Sequence, residues 1–328
     1  MRASVAGWGI AVPEHRLTNA ELEQRVDTSD QWIVERTGIR ERRIAGEGES
    51  TASLAIEAAA AAIKHAGLTP DAIDLLVVAS ASPEQPIPHT GAFVGDGLGI
   101  RCGSFDINAG CAGFVYELVI GSSMLVAGNL QHVLIVGAET LSRVVDPLDR
   151  ATCILFGDGA AAFVLSASPD DGPGLLSWDL GCDGSAAGLL EIPAGGSRRP
   201  TTAETVAHGE HYVRMAGQEL FRRAVRIVVE SATIALERAE ISVDDVTWFA
   251  PHQANLRIIE AAAGRLGIPT ERTLVNISRY GNTSAASIPL VLAEAADDGR
   301  IRDGDLVLLS GFGAGLTWGS AVLRWGHV

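Results

Sequence analysis

The feature that most restricts what this chain can fold into is that its second half repeats its first. Ser53-Leu-Ala-Ile-Glu-Ala58 lies over Arg226-Ile-Val-Val-Glu-Ser231, Leu68-Thr-Pro-Asp-Ala-Ile-Asp-Leu75 over Ile241-Ser-Val-Asp-Asp-Val-Thr-Trp248, and Val133–Val136 over Leu306–Leu309, all at one offset of 173 residues. Each match is loose, but three segments sharing one offset are hard to obtain by chance. The chain reads as two copies of one α/β unit packed as a pseudo-dimer, with their functional loops converging on one crevice. Pro169-Asp-Asp-Gly-Pro173 has the composition of the connection between them.

Within that frame the local signals are ordinary. Val5 to Ile10 reads as a first strand, and a polar helix follows near Asn19–Arg25, capped by Thr18 or Asn19. Ser53 to Ala66 is an alanine-rich helix stopped by Gly67; Leu75–Ser80, Val133–Gly137 and Ala160–Leu165 read as buried strands. Ser82–Pro88 is a rigid loop and Asp146–Arg150 a polar one. With 328 residues, 47% of them hydrophobic, each half has enough material for a core.

A net charge of -15 argues against nucleic acid and anionic membrane surfaces as main partners. Any acidic partner needs a local basic patch. Cys102, Cys111, Cys153 and Cys182 are scattered, without metal-ligand spacing, which fits a reducing cytoplasm, thiol chemistry and no metal. The N-terminus lacks the apolar core of a signal peptide, and no apolar run approaches about 18 residues, so no membrane span is expected.

The chemistry gathers at three junctions. Ser104–Ile107 reads as a strand, Asn108-Ala-Gly110 as a turn and Ala112–Val126 as a helix, so Cys111 stands at a strand-to-helix turn. The unsatisfied N–H groups of a helix start favour a thiolate, and a thiolate can attack a carbonyl to form an acyl thioester. A buried, inert thiol is the other reading. Trp248-Phe-Ala-Pro-His-Gln-Ala-Asn255 leaves a strand through Pro251, which sets His252 at a strand's C-terminal end. Asn282 lies in Gly281-Asn-Thr-Ser284, and Ser284 falls opposite Cys111 in the repeat. A structural histidine and a capping asparagine are the plain alternatives. Together, though, the three make sense: Cys111 takes an acyl group while two neutral donors hold the oxygen of a malonyl-type thioester that becomes an enolate on losing carbon dioxide. That chemistry needs no cofactor. Gly311-Phe-Gly-Ala-Gly315 supplies backbone N–H groups, and Trp32 four residues before Arg36 offers an aromatic plane beside a guanidinium on one helix face.

These segments resemble β-ketoacyl-[acyl-carrier-protein] synthase III, the initiating condensing enzyme of type II fatty acid synthesis. The matching pieces are Thr28–Ile39, Gly110–Phe114, Phe156–Ala160, Pro251–Ile258, Gly281–Ser287 and Gly311–Gly315. The resemblance implies a thiolase-like α/β fold: two duplicated halves forming a five-layered αβαβα pseudo-dimer, and a homodimer of the whole. Residues 1–170 would be the half carrying the nucleophilic Cys, residues 171–328 the half carrying His and Asn. It implies Cys111, His252 and Asn282 as the catalytic set and the N–H groups of Cys111 and Ala314 as the oxyanion hole. Thr28, Trp32, Arg36 and Arg150 match positions around the CoA nucleotide; Gly217, Phe221 and Asn255 match the pantetheine tunnel. Phe312 matches a residue beside the thiol in the acyl pocket. Arg222, Arg257 and Arg265 would dock the acidic carrier protein, with Arg214, Arg223 and Arg226 as helpers. The substrates implied are an acyl-CoA and malonyl-acyl-carrier protein.

Ala314 and Ala151 stand where many members have Gly, and Ile87 where some acetyl-selective members place a Phe that enters the partner's acyl pocket. The shorter Ile87 leads to the expectation of a primer pocket admitting short linear or branched chains. A relative that primes or esterifies in polyketide metabolism is the nearest alternative reading. A biosynthetic thiolase fits less well, since the Phe312-Gly-Ala-Gly315 loop lacks a second Cys. A plant-type polyketide synthase does not account for the Trp32/Arg36 segment, and a dead scaffold does not account for an intact Cys, His and Asn set.

Overall fold

The computed structural model describes residues 1–128 and 130–326. Its first sheet has the strand order Arg2–Ala11, Asp158–Ser168, His132–Thr140, Leu75–Ala79, Gly103–Ile107; the last three run parallel and the first two are antiparallel to their neighbours. The second sheet is ordered Gly174–Cys182, Thr317–Arg324, Leu306–Gly313, Trp248–Pro251, with the same sequence of antiparallel and parallel pairings. A parallel bridge from Phe249 to Thr273 occupies the place of a fifth strand. The repeat survives with a one-residue slip: the 3-10 turn Pro70–Ala72 recurs at Val243–Asp245, 173 residues on, but Gly110–Ala112 recurs at Ser284–Ala286, 174 on, so Ala285 rather than the expected Ser284 falls opposite Cys111.

Strand periodicity sorts the side chains into layers. Val133, Ile135, Val307 and Leu309 point into a central core, where the helices Gly113–Gly128 and Ser287–Asp297 pack between the sheets. Leu134 and Val136 point the other way, onto Leu54, Ala58 and Ala62 of the helix Thr51–His65. Leu308 and Val322 likewise face Ala224 and Val228 of the helix Gly217–Ala239 and Ala262 of the helix Leu256–Leu266. Helix, sheet, helices, sheet and helix make five layers. Close approach in the middle depends on small residues: a Cβ on Gly137 would stand 2.5 Å from the carbonyl oxygen of Ala285.

Three local expectations change. The polar helix after the first strand closes at Leu22, with Thr18 as its capping-box residue. Arg150 lies in a short helix, Arg150–Cys153, because the Asp149 carboxylate accepts from Ala151 N–H and caps it. The stretch Gly110–Gly128 is, against expectation, long and apolar enough to cross a membrane by length and composition. Two-thirds of its most apolar window is buried, and burial on both sides by the two sheets accounts for the apolarity.

Candidate active site

Cys111 sits in the 3-10 turn Gly110–Ala112 that links the strand Gly103–Ile107 to the central helix Gly113–Gly128. His252 follows the strand Trp248–Pro251 directly, and its backbone N–H donates to Ser310 O at 2.8 Å. Asn282 is held across the two halves of the chain: its N–H donates to Leu155 O at 2.8 Å and its carbonyl accepts from Gly157 N–H at 3.0 Å. All three are buried and line one cavity of about 210 Å3, together with Gly217, Phe221, Asn255 and Phe312. A second cavity, of about 220 Å3, meets the first at Cys111 and is lined by Leu141, Phe156, Ile192 and Val213, with Ala314 and Ser284 beside the thiol.

The side-chain orientations are fixed by donors that have no choice. Asn282 Oδ1 accepts the backbone N–H of Ser284 at 2.8 Å, so its Nδ2 donor is left for the cavity. Ser284 reaches that position with φ at 47°, in the left-handed region that costs energy for a residue other than glycine. Gly313 backs the nucleophile so closely that a Cβ there would stand 2.6 Å from Cys111 N.

Burial dominates the electrostatics. It pushes the Cys111 thiol up to about 12, with the Ser284 hydroxyl opposing the rise. The sequence led us to expect a helix start to favour thiolate; in the enclosed site the cost of desolvating the charge wins. Burial also lowers His252 to about 3, so the imidazole is neutral at physiological pH. Uncharged thiol, uncharged imidazole and an amide therefore share one cavity.

At the mouth, Trp32 lies on the helix Asp30–Thr37, with the Arg36 guanidinium 5.8 Å and the Arg150 guanidinium 5.0 Å from its ring centre. Thr28 stands in the same segment with a buried hydroxyl that has no hydrogen-bond partner among the described residues. Asn255, which lines the His252 cavity, donates through Nδ2 to Arg36 O at 3.0 Å and so ties that cavity to the Trp32 helix.

Other expected residues fall differently. Phe312 lines the His252 cavity rather than the second one, because alternation along the strand Leu306–Gly313 turns its ring that way. Ile87 lies away from both cavities and is 84% exposed on its own chain. Arg222, Arg257 and Arg265 are exposed, with Arg257 stacked 5.5 Å from the Phe221 ring. Two of the helpers are already compensated: Arg223 pairs with Glu219 and Asp183, and Arg226 with Glu230. Arg214 donates instead to His208 O.

Sequence reasoning missed Glu139, a buried carboxylate that accepts from Ala81 N–H at 3.0 Å and Ser82 N–H at 2.9 Å and reaches Ala285 N–H at 3.4 Å. It staples the Ser80–Ser82 turn to the Ser284–Ala286 turn; only its acidity within an apolar strand signals it beforehand. Among the described residues no group of three His, Cys, Asp or Glu side chains is arranged to hold a metal.

Two family models match the chain: 3-oxoacyl-[acyl-carrier-protein (ACP)] synthase III over residues 105–184, and the C-terminal model of the same family over residues 236–325. The β-ketoacyl-[acyl-carrier-protein] synthase III of Roseiflexus castenholzii is 52% identical, with 98% of each chain covered. The chain belongs to the β-ketoacyl-[acyl-carrier-protein] synthase III family. The crystal structure of 3-oxoacyl-(acyl carrier protein) synthase III from Pseudomonas aeruginosa superposes with a TM-score of 0.92 at 42% identity, covering 100% of this chain and 99% of that one. A priming β-ketosynthase from a polyketide biosynthetic pathway superposes with a TM-score of 0.91 at 35% identity, covering 99% and 96%. The fold is thus that of the thiolase-like synthases, and the chain is an acyltransferase, a ketosynthase of the initiating condensation in fatty acid synthesis.

Proposed function

We propose that the reaction runs through Cys111, with His252 and Asn282 as the donors that make decarboxylation possible. An acyl-CoA primer transfers its acyl group to the Cys111 sulfur and CoA leaves with the thiol proton. Malonyl-acyl-carrier protein then enters and loses carbon dioxide. The carbon released as an enolate attacks the acyl-Cys111 carbonyl and expels the sulfur as a thiolate, which takes a proton from solvent, so the products are 3-oxoacyl-carrier protein and a free thiol. The observation that carries this reading is the convergence of Cys111, His252 and Asn282 on one cavity. A neutral His252 suits it: with the imidazolium pushed down to about 3 the ring is uncharged at physiological pH, and the one N–H of a neutral imidazole, a very weak acid, can donate to a developing oxyanion without being lost to it. No base is needed, because the carbanion arises by loss of carbon dioxide, and no cofactor beyond the CoA and phosphopantetheine that the substrates bring.

In this reading the Cys111 and Ala314 N–H groups receive the oxygen of the acyl thioester. Thr28, Trp32, Arg36 and Arg150 hold the CoA nucleotide, and Gly217, Phe221 and Asn255 the pantetheine arm. The second cavity takes the acyl chain, with Ile87 of a partner subunit closing it in a homodimer and Phe312 beside the thiol from the tunnel side. Arg222, Arg257 and Arg265 dock the carrier protein in the cytoplasm. Residues 1–170 supply the nucleophile and 171–328 the two donors. The nearer likeness to fatty acid synthases, 52% against 35% for the polyketide-pathway structure, favours the former role.

The test is intact-protein mass after exposure to acetyl-, butyryl- and isobutyryl-CoA, for wild type and Cys111→Ala. An acyl adduct on wild type alone, discharged by malonyl-carrier protein to a 3-oxoacyl product, is the expected result. An adduct that malonyl-carrier protein leaves in place indicates acyl transfer instead, and no adduct removes Cys111 as nucleophile. A tenfold or greater preference in kcat/KM for acetyl-CoA over the four-carbon primers would sink the argument from Ile87.

A further inference from the structure

We propose that Ser287 is the positioning residue that sets the tautomer of His252, donating its hydroxyl hydrogen to Nδ1 so that the single proton of the neutral ring stays on Nε2. The inference rests on the reading of His252 as a donor to the malonyl thioester oxygen.

Nδ1 of His252 and Oγ of Ser287 are 2.6 Å apart, and both residues are buried. A neutral imidazole has one donor and one acceptor, so one of these two atoms must give the hydrogen. The neighbouring backbone decides which. Gln253 N–H is directed at the same Ser287 oxygen at 3.4 Å, and an amide can only donate. Were Nδ1–H also a donor to it, Ser287 would accept twice, and its own hydrogen would lie buried without an acceptor. Among the described residues, Nδ1 and the Gln253 amide are the only hydrogen-bond partners of that oxygen. With the hydroxyl donating to Nδ1, the hydroxyl, Nδ1 and the Gln253 amide are all paired. The ring nitrogen away from Ser287 is then the protonated one, and His252 lines the cavity it shares with Cys111 and Asn282.

Ser287 is well placed for this duty. It is the first residue of the central helix Ser287–Asp297, 1% exposed between the two sheets, so its hydroxyl is held by the core rather than by a loop. Asn282 is oriented by the same logic from the same segment, since the Ser284 N–H claims its Oδ1. One turn of chain thus sets the direction of both donors.

The experiment uses full-length protein labelled with nitrogen-15 histidine, the His252 signals being assigned by their loss in His252→Gln. At neutral pH the expected spectrum has a protonated, pyrrole-type Nε2 and an unprotonated, pyridine-type Nδ1. In Ser287→Ala the ring signals move towards a mixture of tautomers and malonyl-carrier protein decarboxylation falls about tenfold to a hundredfold, the scale typical when the partner orienting a functional histidine is removed. Ser287→Thr keeps the hydroxyl and recovers both. A protonated Nδ1 in wild type overturns the proposal, as does Ser287→Ala with unchanged ring signals and rate. If Ser287→Ala melts before assay, the wild-type ring signals decide alone. Failure of the underlying reading looks different: His252→Ala and Asn282→Ala would then decarboxylate at the wild-type rate whatever the tautomer.

Discussion

The two turns Gly110–Ala112 and Ser284–Ala286 are the same piece of architecture used twice, and they have come to do opposite things. Each follows the edge of a sheet and opens a helix in the central layer. The first presents a side chain that can give electrons, the Cys111 sulfur. The second presents none in that role: Ala285 stands at the position of Cys111, and Ser284, the counterpart of Gly110 with φ at 47° against 52°, orients the Asn282 amide through its backbone N–H. A duplicated fold of this kind brings nucleophile and electrophilic donors to one cavity from opposite directions, and neither half alone holds a complete site.

That contrast is broken most sharply by removing the nucleophile. Cys111→Ala is expected to lower condensation by at least about a thousandfold, since the acyl-enzyme cannot form. The donors of the other half remain, so carbon dioxide release from malonyl-carrier protein is expected to continue. Measuring product and carbon dioxide in parallel separates the two halves; loss of both together would mean that the turns do not divide the work. The opposite experiment is Asn282→Asp. The carboxylate can still accept from Ser284 N–H but has no donor left to offer, and it repels a developing oxyanion. Both carbon dioxide release and condensation are expected to fall about a hundredfold to a thousandfold, the usual cost of one oxyanion-hole donor. Single-turnover acylation measured alongside would identify the step affected.

Much of this was legible beforehand. The repeat gave the pseudo-dimer because helices and strands recur at one spacing whatever their neighbours. Cys111 and His252 were readable because each stands where a strand ends. Trp32 and Arg36 came from helical spacing, while Arg150, the other guanidinium at the Trp32 ring, came only through family resemblance because it lies more than a hundred residues away. What could not be read depends on desolvation and on partners distant in sequence. The rise of the Cys111 thiol follows from enclosure by residues of both halves. Glu139 binds turns drawn from both halves, and Ser287 meets His252 across 35 residues. Local pattern carries no information on any of these.

The smallest expected effect concerns stability and compares the two central helices. Glu117 lies on the helix behind Cys111, fully buried; the backbone of Val136 and Ala79 approaches its carboxyl, but among the described residues neither oxygen makes a well-formed hydrogen bond. Counted from the helix starts Gly113 and Ser287, the other helix has Val291 at that place, also fully buried. One half thus carries an acid where its copy carries a hydrocarbon. Burial raises the Glu117 carboxyl well above its usual 4.5, so the native chain holds a proton that the unfolded chain releases. The unfolded state therefore binds fewer protons above about pH 4.5, and stability falls as pH rises through the interval between the unfolded and folded values. Glu117→Gln is expected to flatten the decline in melting temperature as pH rises above the ordinary carboxylate range, because the amide does not titrate. Glu117→Leu, which gives this half a hydrocarbon as the other half has, is expected to stabilise by about 1–3 kcal/mol, the usual penalty of an unsatisfied buried polar group. A Glu117→Leu protein that melts below wild type would mean that the helix behind the nucleophile needs the acid, and that the two halves differ there for a reason beyond packing.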